Sequence, residues 1–295
     1  MAGGGLHADA PSSSLRAADP LAVLPLIEGI EDLSSASTGA LVFGAHGKPE
    51  GTILVEKGRI CWAMTARMGH RLTDILRSRL DPEVGPSALE AIVRRCRDEG
   101  TPLGETLVAS SLISSEGLRE ALRQHTSEAI LFLAQRGGAP PAWLAHRKHR
   151  YDARFTFSPA ELLASVGAVC LPDLAEQSRA EMERLLRSVG SSGGGVAFTW
   201  VGVSATLFPI CEIHGASFSV RETVDLGQWA ARMLEMPLML RAVPQLVTVV
   251  GAKGDALVAW ISEGIVYVVI CQNPSSLAHV LSKRARAAPE VRSGS

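Results

Sequence analysis

The chain has 295 residues, 46% of them hydrophobic and 20% charged, and a formal net charge of −1. That length holds two ordinary domains, and that composition builds packed cores rather than a disordered polymer. A charge balance so close to neutral supplies no global field for nucleic acid or a membrane surface, so neither is expected as a partner.

The five cysteines, Cys61, Cys96, Cys170, Cys211 and Cys271, are odd in number and form no C-x-x-C. Reduced thiols are expected, with no disulfide framework and no zinc site. Residues 1–20 are rich in Gly, Ala, Ser and Pro and are expected to be disordered. The apolar stretch LAVLPLIEGI at 21–30 carries Pro25 and Glu28 and follows a single Arg16, which argues against a signal peptide. No run reaches the roughly 20 apolar residues of a membrane helix, so a cytoplasmic protein without membrane insertion is expected.

Residues 38–64, TGALVFGAHGKPEGTILVEKGRICWAM, read as three strands of a meander. Leu41 and Phe43 alternate, as do Ile53 and Val55, then Ile60 and Trp62, with turns at 44–51 and at Lys57-Gly58. Helical periodicity follows: Leu72, Ile75, Leu76 and Leu80 form one stripe, ended by Asp81-Pro82 and Gly85-Pro86. SALE at 87–90 reads as a capping box before the stripe Leu89, Ile92, Val93 and Cys96, which Gly100 closes. A short helix carries Leu103, Leu107 and Val108, and Ser114 caps a longer one with Leu118, Leu122, Ala129, Ile130 and Leu133 on its face. RGGAPPAWLAHRKHR at 136–150 breaks the pattern, and YDARFTF at 151–157 reads as a strand completing the first sheet.

Helical sequence runs from Ala160 to Val189 with an interruption at Leu171-Pro172, and SSGGG at 191–195 reads as a loop. Strand-like runs at 196–202 and 205–213 precede a helix bearing Leu226, Trp229, Ala230, Met233 and Leu234. Strands at 246–251, 256–262 and 265–272 and a helix at 273–288 close the chain. The order α-β-β-α-β-β-β-α makes a five-stranded antiparallel sheet with helices. The expected fold class is α+β, in two domains. A β-meander with a helical insertion spans 21–160, a helical connection 161–177, the five-stranded domain 178–288, and 289–295 is a disordered tail.

Catalytic motifs are missing. GAHGKP at 44–49 is not a phosphate-binding loop, SSGGG lacks dinucleotide-binding spacing, and H-E-x-x-H does not occur. His146 and His149 in HRKHR read as a solvated basic loop, and KRAR at 283–286 complements a helix C-terminus. No catalytic residue, cofactor or metal ligand is nominated.

With TGALVF, GTILVEKGRICWAM, EAILFLAQ and ARFTF, residues ~26–160 resemble the PatA-type N-terminal domain of bacterial signalling proteins. That resemblance implies two-component or gliding-type signalling and no catalysis. Residues ~178–288, ending DALVAWISEGIVYVVICQNPSSLAHVLSKRA, resemble the roadblock/dynein light chain family, although WVGVSATLFPICEIHG lacks the family's short Asp-Gly hairpin. This second resemblance implies a homodimer and, in bacteria, contact with a small Ras-like GTPase or another signalling protein. The uncharged strand at 246–251 and the apolar strip of the helix before it nominate an interface at Trp229, Met233, Met236, Leu246, Thr248 and Val250.

The stretch TPLGETLVASSLISSEGLREALRQH at 101–125 is similar to the cyclic di-GMP-binding N-terminal domain of type II secretion and pilus ATPases. Pro102 stands where that motif has Arg, and Ser111 where it has Gly; upstream, Arg71 is kept but Thr73 replaces Gly. The guanidinium fork that grips phosphate is lost at the first position, and backbone access is narrowed at the second. The expected function is therefore a non-enzymatic signalling adaptor. The alternative is a cyclic dinucleotide receptor contacting its ligand through Arg71, Leu103, Gly104 and Leu107.

Overall fold

The computed structural model describes residues 19–33, 37–45, 48–66, 68, 71–80, 86–101, 103–136, 140–145, 151–189, 195–201, 207–213, 218–235, 246–252, 255–271 and 273–287. The expectations for residues 1–18, Asp81-Pro82, 191–194, the HRKHR cluster and 289–295 fall outside these. The protein is an α+β protein with two antiparallel sheets, and it divides into two compact units, 1–162 and 163–295. Among the described residues no helix is long and apolar enough to cross a membrane.

In the first unit, strands β1 (Thr38–Ala45), β2 (Lys48–Glu56), β3 (Arg59–Thr65) and β4 (Ala142–Ala145) form a sheet in the order β3-β2-β1-β4. The turn between β2 and β3 puts Lys57 at φ 54° and Gly58 at φ 72°, the paired left-handed conformation that matches hairpin twist. Helix α1 (Leu24–Glu31) precedes the sheet, while α2 (Leu72–Arg77), α3 (Pro86–Glu99), α4 (Leu103–Ala109) and α5 (Ser115–Gln135) lie between β3 and β4 in sequence. Ser114 caps α5 through the Gly117 amide at 3.0 Å, as its sequence predicts.

The structure departs from the sequence reading in several places. The register of β2 against β3 shifts between Leu54 and Val55, so Val55 faces Ile60 and Leu54 faces Trp62. Cys61 is the extra residue of a bulge, which breaks the alternation: Ile60 and Cys61 are both buried and Trp62 only half-buried. The fourth strand is AWLA, inside the stretch read as a break, and not YDARFTF. Residues 153–155 instead form a 3-10 turn, held by the Arg154 amide donating to Asp152 Oδ1 at 2.9 Å. Among the described residues of this segment only Phe157 makes a β-bridge to the sheet, with Ile60, while Arg59 donates to Thr156 Oγ1 and O, both at 2.7 Å. Helix α3 starts at Pro86, so Ser87 lies in its first turn rather than capping it, and α2 ends at Arg77, ahead of Leu80.

In the second unit, helices α6 (Pro159–Cys170, whose first residues belong to the first unit) and α7 (Pro172–Val189) are followed by β5 (Gly195–Val201), β6 (Phe208–Ile213) and α8 (Val220–Glu235). Then come β7 (Val247–Val250), β8 (Ala256–Ser262), β9 (Ile265–Cys271) and α9 (Pro274–Ala287). The sheet order is β6-β5-β9-β8-β7. One face packs Val258, Trp260, Tyr267 and Val269 with Met182 and Leu185 of α7 and Val280 of α9. The other packs Ala259, Val266 and Val268 with Ala230, Ala231 and Leu234 of α8. Cover on both faces explains why β9, IVYVVIC, is apolar throughout instead of alternating. Trp260 and Tyr267 are cross-strand partners whose rings stack at 5.2 Å.

Two glycines give opposite expectations. A Cβ on buried Gly167 collides with the backbone oxygen of Pro209, so Gly167→Ala is expected to destabilise the chain by about 1–3 kcal/mol through overpacking. Gly29 is an exposed α1 residue with nothing within 4 Å of where an added methyl would sit, so Gly29→Ala is expected to stabilise by about 0.5–1 kcal/mol. Urea unfolding of both variants against the parent checks the pair.

Candidate functional site

Two adjoining cavities in the first unit share Trp62, Leu72 and Leu103 in their linings. The smaller, of about 410 Å³, is mostly aliphatic and includes Gly104, Leu107, Cys61 and Phe155. The larger, of about 670 Å³, is bordered by the guanidinium-bearing residues Arg71, Arg77, Arg94 and Arg97 and by two carboxylates, Asp74 and Glu90.

Each cation is placed by an ordinary local device. Asp74 Oδ2 accepts from the Arg71 amide at 2.9 Å, which seats Arg71 at the entrance to α2. Arg77 spans Asp74 at 3.7 Å and Glu90 at 3.5 Å. Arg94 and Arg97 are one turn apart on α3 and exposed, bordering the same cavity as Leu89 and Val93 of the helix's apolar stripe.

His125 also lines the larger cavity. It lies in the middle of α5, 5% exposed, with its ring stacked on Trp62 at 4.4 Å and 15°. Its Nδ1 is buried without a hydrogen-bond partner. Burial pushes its pKa down from 6.5 to about 4, since a low-dielectric site disfavours imidazolium. Burial likewise pushes the Cys61 thiol up to about 12, with the Glu56 charge adding to the shift. A thiol held protonated in this way is a poor nucleophile. Among the described residues no group of three His, Cys, Asp or Glu side chains is placed to hold a metal ion.

The four residues nominated as nucleotide contacts thus fall around these cavities: Arg71 on the basic one, Gly104 and Leu107 on the aliphatic one, Leu103 on both. Packing explains two of them. Leu107 is fully buried, and a Cβ on Gly104 approaches Leu118 Cδ2 at 3.0 Å, so the Leu-Gly pair sets the close contact of α4 with α5. Ser111 has φ 54°, the left-handed conformation that glycine adopts most readily. Pro102 lies outside the described residues.

In the second unit β7 is an edge strand, and Val249 and Val250 are 41% and 61% exposed. Leu246 packs with the α7 and α9 face, and Val247 with the α8 face. Strand alternation therefore assigns Thr248 and Val250 to the face of Leu246, and Val249 to the side of α8. Trp229 and Met233 of α8 are half-buried, with Trp229 packed against the α8-side core. Met236 lies outside the described residues. Exposed Ile261 shares the alternation phase of Leu257 and Ala259, so the α8 side carries Val249 and Ile261 as exposed apolar groups.

The sequence reading did not single out Trp62, His125, Arg77, Arg94 or Arg97 as site residues. The legible signal was the i, i+3 pair Arg94 and Arg97 on a helix with an apolar stripe. The Trp62–His125 stack has none, because it joins residues far apart in the chain. No family model matches the chain, and no curated protein matches it significantly.

His125 is expected to stay neutral from pH 5 to 8. An unfolded imidazole binds its proton near pH 6.5 while the folded one waits until about 4. The stability of this site is thus full above 6.5 and falls as pH drops from 6.5 toward 4. An NMR titration of the His125 ring, assigned with His125→Gln, checks this; a midpoint near 6.5 would contradict it.

Proposed function

We propose that the chain is a non-enzymatic, cytoplasmic signalling adaptor of bacterial type, with a roadblock-like second unit that pairs with a second copy of itself and a PatA-like first unit. The observation that carries the reading is the β7 edge. Its sequence VTVV bears no charge, its outer side is unpaired among the described residues, and it exposes two adjacent valines. A charge-free apolar edge is a template for strand pairing unless something covers it. Beside it the α8 side adds Ile261 and the half-buried Trp229 and Met233. Strand-edge pairing supplies backbone hydrogen bonds, and α8 supplies the apolar area a stable contact needs.

The chemistry of the first unit favours the same reading. The buried imidazole is uncharged at neutral pH and has no hydrogen-bond partner at Nδ1 to orient it. Cys61, on the wall of the aliphatic cavity, is protonated. Neither arrangement resembles an activated nucleophile with its base. A small Ras-like GTPase is the partner class implied by the roadblock likeness, and in this reading the adaptor orders the GTPase rather than donating a catalytic charge.

Sedimentation of the full chain is expected to give a dimer at micromolar concentration. Val249→Lys, which places a charge at the edge on the α8 side, is expected to raise the dimer dissociation constant at least ~10-fold. A monomeric parent, or a dimer that neither Val249→Lys nor Trp229→Ala weakens, would sink the proposal.

A further inference from the structure

We infer that the two adjoining cavities of the first unit form one binding site for an amphipathic anion, an aliphatic chain ending in a phosphate or carboxylate. This goes beyond the adaptor reading and does not depend on it.

The positive charge is local. Four arginines border the larger cavity against two carboxylates, while the smaller adds Glu105 and an Asp152 paired with Arg154, so the positive surplus of two is confined to the rim of the larger cavity. Arg77 is shared between Asp74 and Glu90. The exposed Arg71, Arg94 and Arg97 have no carboxylate within ion-pair distance among the described residues. Three exposed arginines on the border of one concavity suit a terminal anion with several acceptor oxygens.

The smaller cavity provides for the aliphatic chain. Leu72, Leu76, Leu103, Leu107, Leu118 and Leu122 line it. Its size lies within the range of small-molecule sites, and the two cavities meet at Trp62, Leu72 and Leu103. An aliphatic chain suits the leucine part of this lining, which Glu105, Tyr151 and Asp152 also border. A purine or pyrimidine would bury ring nitrogens and oxygens against leucine, a cost that only matched hydrogen bonds offset. The junction carries a further mark of a site. His125 lines the basic cavity, is 5% exposed, and has no partner for its Nδ1. Of the three unpartnered buried polar atoms on this part of α5, it is the one whose residue lines the cavity.

Calorimetric titration of the full chain tests this with five probes: decyl phosphate and decanoate below their micelle concentrations, decanol, inorganic phosphate and guanosine monophosphate. Saturable binding of decyl phosphate or decanoate tighter than about 1 mM is expected, with decanol and inorganic phosphate at least ~10-fold weaker. Which of the two amphiphiles binds more tightly distinguishes a phosphate-ended ligand from a carboxylate-ended one. The double variant Arg94→Ala/Arg97→Ala is expected to weaken that binding at least ~10-fold. Arg95→Ala, which removes one charge from an exposed position of the same helix away from the cavity, is expected to leave it unchanged. All three positions are exposed, so folding is not at stake, and the thermal transition of each variant verifies this. Three results would overturn the site: neither amphiphile binding at about 1 mM, equal weakening by Arg95→Ala, or guanosine monophosphate binding more tightly than both amphiphiles.

Discussion

The stack of Trp62 on His125, 4.4 Å between ring centroids, ties the edge strand of the first sheet to the middle of its longest helix. The geometry of both cavities depends on it. Trp62 is part of the wall they share, with Leu72 and Leu103, and His125 is the part of α5 that the basic cavity reaches. The bulge at Cys61 sets the phase of Trp62 on β3. Without the extra residue, Trp62 would keep the phase of Ile60, and its ring would stand with the buried set of β3.

Around this stack α5 is polar where helices of its kind are usually apolar. His125, Thr126, Ser127 and Glu128 are four consecutive buried residues. A partial network satisfies the segment: Arg79 donates to Gln124 Oε1 at 2.8 Å, and Gln124 donates to Glu128 Oε1 at 3.0 Å. The Thr126 and Ser127 hydroxyls and His125 Nδ1 stay buried without partners. Each costs on the order of 1–3 kcal/mol relative to a satisfied group, and the leucines and Ile130 on the rest of α5 offset this through burial. A further tie anchors the segment after β4. The Arg119 guanidinium lies 4.7 Å from the centroid of Phe157 and pairs with Glu161 at 2.7 Å, so one side chain of α5 holds both the bridge to β3 and the first turn of α6.

Local chemistry carried most of the fold into the sequence. Lys57-Gly58, the Ser114 cap and the stripes of α3 and α5 were readable because each is decided within a few residues. The order of elements in the second unit was readable for the same reason. The bulge at Cys61 was not, because two-against-one pairing is set by the partner strand. AWLA was missed because its partner, β1, is about a hundred residues away in sequence, and its flanking prolines and glycines look like a loop. YDARFTF alternates like a strand, yet Asp152 competes for the backbone and turns it. At the candidate site Arg71 and Leu103 were legible, while Trp62 and His125 were not, since stacking across long sequence separation leaves no periodic trace. On β7 the apolar character was legible, but which valine faces α8 was not until the register placed Val249 opposite Leu257.

The second unit is built from the inside out. Both faces of its sheet are covered, one by α7 and α9 and the other by α8, so unspent association potential is concentrated where the sheet ends. At the far edge, β6 carries Pro209 and Glu212, which blunt strand addition. β7 has neither proline nor charge. Self-association is therefore expected at one edge of one sheet. Hydrogen exchange of the β7 backbone amides, followed as the concentration of the full chain is raised, tests that most directly. The outward-facing amides of Val247–Val250 are expected to gain protection as dimer forms, while those of β6 do not. Exchange at β7 that is independent of concentration would contradict it.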